Sequence, residues 1–240
     1  MKISLARKLA AEFLGTLFLV ATVVGSGIMA ERLSGGNSAL ALLANTIATG
    51  AALVALILTF GPISGAHLNP AVTVADALEG GVPWSEAAQY ICVQILGGIA
   101  GTGTAHLMFG LTIISLSQHI RSGPAQVFSE FVATFGLMSV ICGCSRARSN
   151  ADPFAVGSYI VSAYRFTAST SFANPAVAIA RSLSDTFSGI RPVDVPYFVL
   201  VQFAGAIAST LLFRWLAPGI TAQAKNVVNA HDLDARDVSD

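Results

Sequence analysis

Two six-residue phrases hold most of the chemistry of this chain: His67-Leu68-Asn69-Pro70-Ala71-Val72 and Phe172-Ala173-Asn174-Pro175-Ala176-Val177. Asparagine caps a helix through its side-chain oxygen, and proline fits the first helical position because it has no N–H to lose. Each Asn-Pro pair therefore reads as a helix start, with the Asn amide free to aim N–H donors at a passing molecule. Two such starts also bring two positive helix-dipole ends together. That combination favours small neutral molecules that accept hydrogen bonds, and it repels cations, protons included. One Asn-Pro-Ala is a weak sign, since the tripeptide also occurs in turns. Two copies, each in a Gly/Ser/Thr-rich stretch between long apolar segments and one in each half of the chain, point to a pore.

Other chemistry is poorly supplied. No nucleophile–base arrangement and no phosphate-binding glycine loop is present, which argues against an enzyme. The net charge of zero offers no basic footprint for nucleic acid. Cys92, Cys142 and Cys144 cannot form a paired framework, and the close Cys142/Cys144 pair lacks a second metal-binding pair. His67 has no His or Cys cluster beside it, so it reads as a pore-lining carbonyl with a packed imidazole. His106, near the end of an apolar segment, reads as interfacial. No metal and no cofactor is expected.

The elements that position the two motifs belong to a membrane. Only 11% of residues are charged, 54% are hydrophobic, and mean hydropathy is +0.69. A soluble domain of this size needs far more surface charge. The basic N-terminus followed by an apolar run imitates a signal peptide, but Glu12 interrupts the run and further spans follow, so a retained first helix is expected. Apolar spans are expected near Leu9 to Met29, within Asn37 to Ala66, from Trp84 to about Met108, from Val127 to Cys144, from Pro153 to Tyr164 (short and interrupted by Arg165), and from Val195 to Trp215. Asn69 to Leu78 and Asn174 to Leu183 each cover about half a bilayer. Short, proline-interrupted segments at matching positions in two halves indicate re-entrant half-helices. The expected fold is an all-α membrane protein of six transmembrane helices plus two half-helices. One channel domain spans 1–217, with repeats at about 5–108 and 127–217, followed by a polar tail at 218–240.

With six spans, Lys2, Arg7, Lys8, Arg146, Arg148, Arg214, Lys225 and Arg236 fall on one side, and Arg32, Arg121, Arg165, Arg181 and Arg191 on the other. Eight against five places both termini in the cytoplasm. The repeat extends beyond the motifs: Glu12-Phe13 matches Glu130-Phe131, and Val93-Gln94 with Gly97 matches Val201-Gln202 with Gly205. Three spans per half make the repeat inverted. Gly97/Gly101 and Gly205/Ser209 are small-xxx-small faces that let helices approach closely. A buried carboxylate is costly, so Glu12 and Glu130 read as acceptors for backbone N–H groups of the adjacent re-entrant loops; the other reading is proton or cation carriage.

The paired motifs in an inverted repeat resemble the aquaporin (major intrinsic protein) family over about residues 5 to 217. The resemblance implies a right-handed bundle, one pore per subunit, a homotetramer, and passive two-way flow of water or small uncharged solutes. It implies an acceptor ladder from the carbonyls of Gly65, Ala66 and His67, and of Ser171, Phe172 and Ala173. Most members carry Arg directly after the second Asn-Pro-Ala; here Val177 stands there, and Ala178 replaces the Asp common in the glycerol branch. By the same resemblance Thr49 takes the place of a bulky aromatic, Ser171 takes the second filter position, and Ser162 or Tyr164 completes the filter. Thr49, Ser171 and Val177 predict an outer constriction wider and less charged than a water filter. Arg181, one turn beyond Val177, reads as an anchor of the half-helix end at the interface, or as a charge in the outer vestibule; its counterpart in the first repeat is Asp76. The run from Phe166 to Val177 resembles the aquaglyceroporin-like channels of bacterial arsenic-resistance operons, which implies conduction of As(OH)₃ and related arsenicals across a bacterial inner membrane. The rival readings are an ordinary water or glycerol channel, an ion-coupled inverted-repeat transporter, and a junctional or scaffolding membrane protein with a vestigial pore.

Overall fold

The computed structural model describes residues 3–146 and 151–216, with the side chains of 145 and 146 left out. The polar tail, Lys2, Arg148, Lys225, Arg236 and the Arg146 side chain lie outside the described residues. The chain forms α1 (Leu5–Leu33), α2 (Ser38–Ser64), the half-helix α3 (Pro70–Glu79), α4 (Trp84–Met108), α5 (Pro124–Arg146), α6 (Asp152–Phe166), the half-helix α7 (Pro175–Arg181) and α8 (Val195–Leu216). Five of these are long and apolar enough to cross a membrane: α1, α2, α4, α5 and α8. With 15 residues, α6 is shorter, reaching roughly 22 Å at the helical rise per residue. It packs against α2 of the first half and α5 of the second.

In the first repeat α1 packs on α4 and α2; in the second α5 packs on α8 and α6. The contact faces explain the glycines. A Cβ on Gly97 would strike the Phe13 carbonyl, and one on Gly101 the Leu17 carbonyl. A Cβ on Gly205 would strike the Phe131 carbonyl. Gly97 on Phe13 and Gly205 on Phe131 are the same contact made twice, because the two helix pairs are copies of one another. Where the first repeat has Gly101, Ser209 instead shares a hydrogen bond with Ser139 at 3.0 Å. Large apolar side chains such as Phe18, Leu58, Leu96, Phe128 and Leu200 stay exposed, as expected of faces turned to lipid. Inside, Leu19, Val20, Val23 and Val24 of α1 form one apolar cluster with Phe172, Val177, Ile190 and Phe198.

Several boundaries differ from expectation, among them the first span, which runs Leu5–Leu33 rather than Leu9 to Met29. Helix α5 begins at Pro124 rather than Val127, since proline suits a first helical turn. Arg165 does not interrupt α6; it sits in the last turn and reaches the Ala39 carbonyl at 3.5 Å. The second half-helix ends at Arg181, where Ser182 and Leu183 bond three residues back, to Ile179 and Ala180, instead of four.

Charged side chains gather at the helix ends. Lys8 pairs with Glu86 at 3.6 Å, and Arg214 pairs with Glu79 beside the end of α3. At the opposite end Arg32 donates to Phe109 O, Arg121 to Gly189 O, and Arg191 pairs with Asp194 at 3.1 Å.

Candidate pore and its two asparagine caps

The loops before α3 and α7 have the same unusual backbone. Ala66 and Leu68 have φ of +48° and +49°, and their equivalents Ser171 and Ala173 have +48° and +46°. Left-handed conformations in residues with a Cβ cost roughly 1–2 kcal/mol each, so something must hold them. The holders are the buried carboxylates. Glu12 accepts from His67 N at 3.0 Å and Leu68 N at 2.7 Å, and also from Ser64 Oγ and Gln94 Nε2 at 2.6 and 2.8 Å. Glu130 accepts from Phe172 N and Ala173 N at 2.8 and 2.9 Å and from Gln202 Nε2 at 2.6 Å. With its oxygens filled by donors, each fully buried carboxylate serves as a clamp on a loop. The Val-Gln pairs were visible as a repeat, but the part of Gln94 and Gln202 as donors to the glutamates was not.

Each asparagine is a cap and a bridge. Asn69 Oδ1 accepts from Ala71 N at 2.9 Å, and Asn174 Oδ1 from Ala176 N and Val177 N at 3.0 and 3.3 Å, with Pro70 and Pro175 opening the helices. Asn69 Nδ2 donates to Ala173 O and Asn174 Nδ2 to Leu68 O, both at 2.8 Å. This corrects the expectation that the amides turn all their donors to the pore: one N–H of each is committed to the opposite loop, leaving one. It also removes one lone pair of Ala173, one of the six ladder carbonyls. Gly65, Ala66, His67, Ser171, Phe172 and Ala173 all line one cavity of about 530 Å³.

Thr49, Tyr164, Ser171 and Val177 line the same cavity; Ser162 does not. Helix α6 turns Tyr164 inward, buried, with its hydroxyl 3.5 Å from Thr49 Oγ1, and leaves Ser162 exposed on the opposite face. Of the two fifth-span candidates only Tyr164 faces the cavity, and it brings an aromatic ring to that wall. Ser171 Oγ has no protein partner, so its hydroxyl remains available. Val177, 4% exposed, brings no charge and packs into the apolar cluster around α1.

The histidines and Arg181 sit as follows. His67 Nδ1 lies 3.2 Å from Thr73 Oγ1, Nε2 lies 3.7 Å from Asp76 Oδ2, and the ring packs edge-on to Tyr90 with centroids 5.5 Å apart. His106 is fully buried. Its Nδ1 lies 2.8 and 3.0 Å from the carbonyls of Thr112 and Ile113, so the network assigns the proton there, and Nε2 meets Ser184 Oγ at 2.8 Å. Arg181 does anchor the end of α7, but inside the protein: its Nε donates to the Ser188 carbonyl and its guanidinium lies 3.4 Å from the Phe172 ring centroid.

This clamped, twofold arrangement has a counterpart among known sequences. The sequence model of the major intrinsic proteins matches residues 1–171, well over half of the chain. The chain belongs to that family. The major intrinsic proteins are channels, so this is a multi-pass membrane channel for small solutes and not an enzyme. It is 55% identical over 212 residues to an aquaglyceroporin, AqpS, of Rhizobium meliloti, covering 88% of this chain and 91% of the relative. It is 32% identical over 211 residues to the probable aquaporin NIP7-1 of Arabidopsis thaliana, covering 85% of this chain and 74% of that one. Among solved structures the aquaglyceroporin from Plasmodium falciparum superposes with a TM-score of 0.66 at 19% identity, over 93% of this chain and all of that one, which shows a shared fold.

Proposed function

We propose that this channel passes small neutral solutes passively, with metalloid hydroxides such as arsenous acid, As(OH)₃, and related arsenicals favoured, and glycerol and water as further permeants. One observation carries the reading: the residue after the second Asn-Pro-Ala is the uncharged Val177, in the wall of the cavity beside Thr49 and Ser171. A guanidinium there would narrow the passage and bind polar solutes in a fixed orientation; an isopropyl group does neither. The hydroxyls of Thr49, Tyr164 and Ser171 can meet a molecule that carries several hydroxyls of its own. The name of the 55%-identical relative, an aquaglyceroporin, supports a passage wider than a water pore. Two asparagine-capped helix N-termini facing one another disfavour cations and protons.

The working form is a homotetramer in a bacterial inner membrane with both termini in the cytoplasm. Glu12, Glu130, Asn69, Pro70, Ala71, Asn174, Pro175 and Ala176 build the pore, and Thr49, Tyr164, Ser171 and Val177 are its filter. The aromatic ring of Tyr164 favours a second reading, an ordinary water or glycerol channel. Stopped-flow measurements on proteoliposomes with water, glycerol and arsenous acid separate the two. We expect arsenous acid to permeate, and Val177→Arg to lower its flux about tenfold, the effect of ~1.4 kcal/mol on a barrier, with water affected less. Water flux with arsenous acid excluded would leave the ordinary channel as the answer.

A further inference from the structure

Two guanidinium groups at the outer end are not used by the pore as described. Arg121, in the loop between α4 and α5, donates from Nε to Gly189 O at 2.7 Å and from Nη1 to Ser169 O and Thr170 Oγ1 at 3.2 and 3.4 Å. Arg181 is 1% exposed, and its Nη1 has no partner. Both bear on one ring: their guanidinium carbons lie 5.1 and 3.4 Å from the Phe172 centroid. Among the described residues neither forms an ion pair. The nearby carboxylates are already engaged, Asp194 by the Arg191 side chain and the Arg121 N–H, and Glu130 by the loop and Gln202.

Both arginines line a second cavity of about 330 Å³, which shares no lining residue with the pore cavity. Asn45 also lines it; this residue lies one turn outward of Thr49, whose hydroxyl donates to the Asn45 carbonyl at 2.9 Å. The second cavity therefore sits just outside the constriction. A buried cation is costly without a counter-charge, and carbonyls and a ring face offset only part of that cost. A buried N–H with no acceptor adds to it. An oxyanion supplies both missing elements, since guanidinium donors match paired oxygens.

We propose that this outer cavity is a binding site for a small oxyanion, held by Arg181 and Arg121. Phe172, over whose ring both guanidinium groups lie, belongs to the wall of the pore cavity, so the bound anion acts on the pore through the arginines and that ring. The site does not depend on which neutral solute the channel passes, and its test reads no flux.

Inorganic phosphate titrated calorimetrically into the purified full-length channel in detergent, at low ionic strength, provides the test. Saturable binding is expected, with a Kd of about 1 mM or tighter. Arg181→Gln and Arg121→Gln should each weaken it at least tenfold. Arg181→Lys, which keeps a cation over Phe172 but loses the fork, should bind with intermediate strength, and its thermal melt reports that the protein is folded. Arg32→Gln removes another outer arginine that reaches a carbonyl, Phe109 O, and lies over a ring, but away from this cavity; it should bind phosphate as the parent does. No saturable binding by the parent chain overturns the proposal. So does an equal loss in Arg32→Gln, which would make the interaction diffuse charge attraction.

Discussion

Glu12 and Glu130 determine whether two strained loops exist at all. Four donors converge on Glu12 and three on Glu130, two of them in each case backbone N–H groups of the loop before the asparagine. Glutamine in place of Glu130 would present an NH₂ where the loop needs an acceptor, leaving one N–H of Phe172 or Ala173 unmatched. A buried donor left so costs about 1–3 kcal/mol. We expect Glu130→Gln to lower the melting temperature in detergent and Glu12→Gln to do the same; an unchanged melt in both would show that the carboxylates are not the clamps. At this scale the sequence was informative wherever the repeat spoke twice. Glu12 with Glu130 and Asn69 with Asn174 were readable because equivalent residues occupy equivalent positions. The burial of Arg181 and His106 was not legible, because what buries them (Phe172 and Ser188 for one, the loop from Thr112 and Ser184 for the other) is brought in by tertiary folding that no local spacing encodes.

Among elements, the close crossings of α1 with α4 and α5 with α8 depend on the absence of a side chain. A methyl at Gly97 meets the Phe13 carbonyl and one at Gly205 the Phe131 carbonyl, and backbone cannot swing aside as a flexible side chain can. Overpacking of this kind costs about 1–3 kcal/mol. Gly97→Ala and Gly205→Ala should therefore each reduce the yield of folded protein and the melting temperature. Gly61→Ala, where a Cβ meets nothing within 4 Å, is the control and should leave both unchanged. Helix existence and type were legible because long apolar runs are hard to mistake; Trp84–Met108 was bounded as observed. Choosing between Ser162 and Tyr164 was not possible from the sequence, since the facing of α6 depends on where that helix ends, and it runs on through Arg165 to Phe166.

For the whole molecule the question is whether transport can be driven. In a coupled carrier a titratable group must be free to load and unload along the path. The two carboxylates at the heart of this protein are filled with donors instead. We expect arsenous acid and glycerol to equilibrate across proteoliposome membranes to the same final level with or without an imposed proton gradient. Accumulation above the external concentration when the gradient is applied would contradict a passive pore.

The two asparagine amides cross from one half to the other, Asn69 to the carbonyl of Ala173 and Asn174 to that of Leu68. The ribosome makes these partners about a hundred residues apart. Until the later loop has been synthesised and inserted, the earlier one holds an unmatched amide and an unmatched carbonyl at a depth where lipid offers neither donor nor acceptor. The first half therefore has no finished version of its own to wait in. Birth of the channel is a joint event, completed when two turns of the same handedness fasten each other shut, and a chain stalled before that moment still carries the unmatched pair.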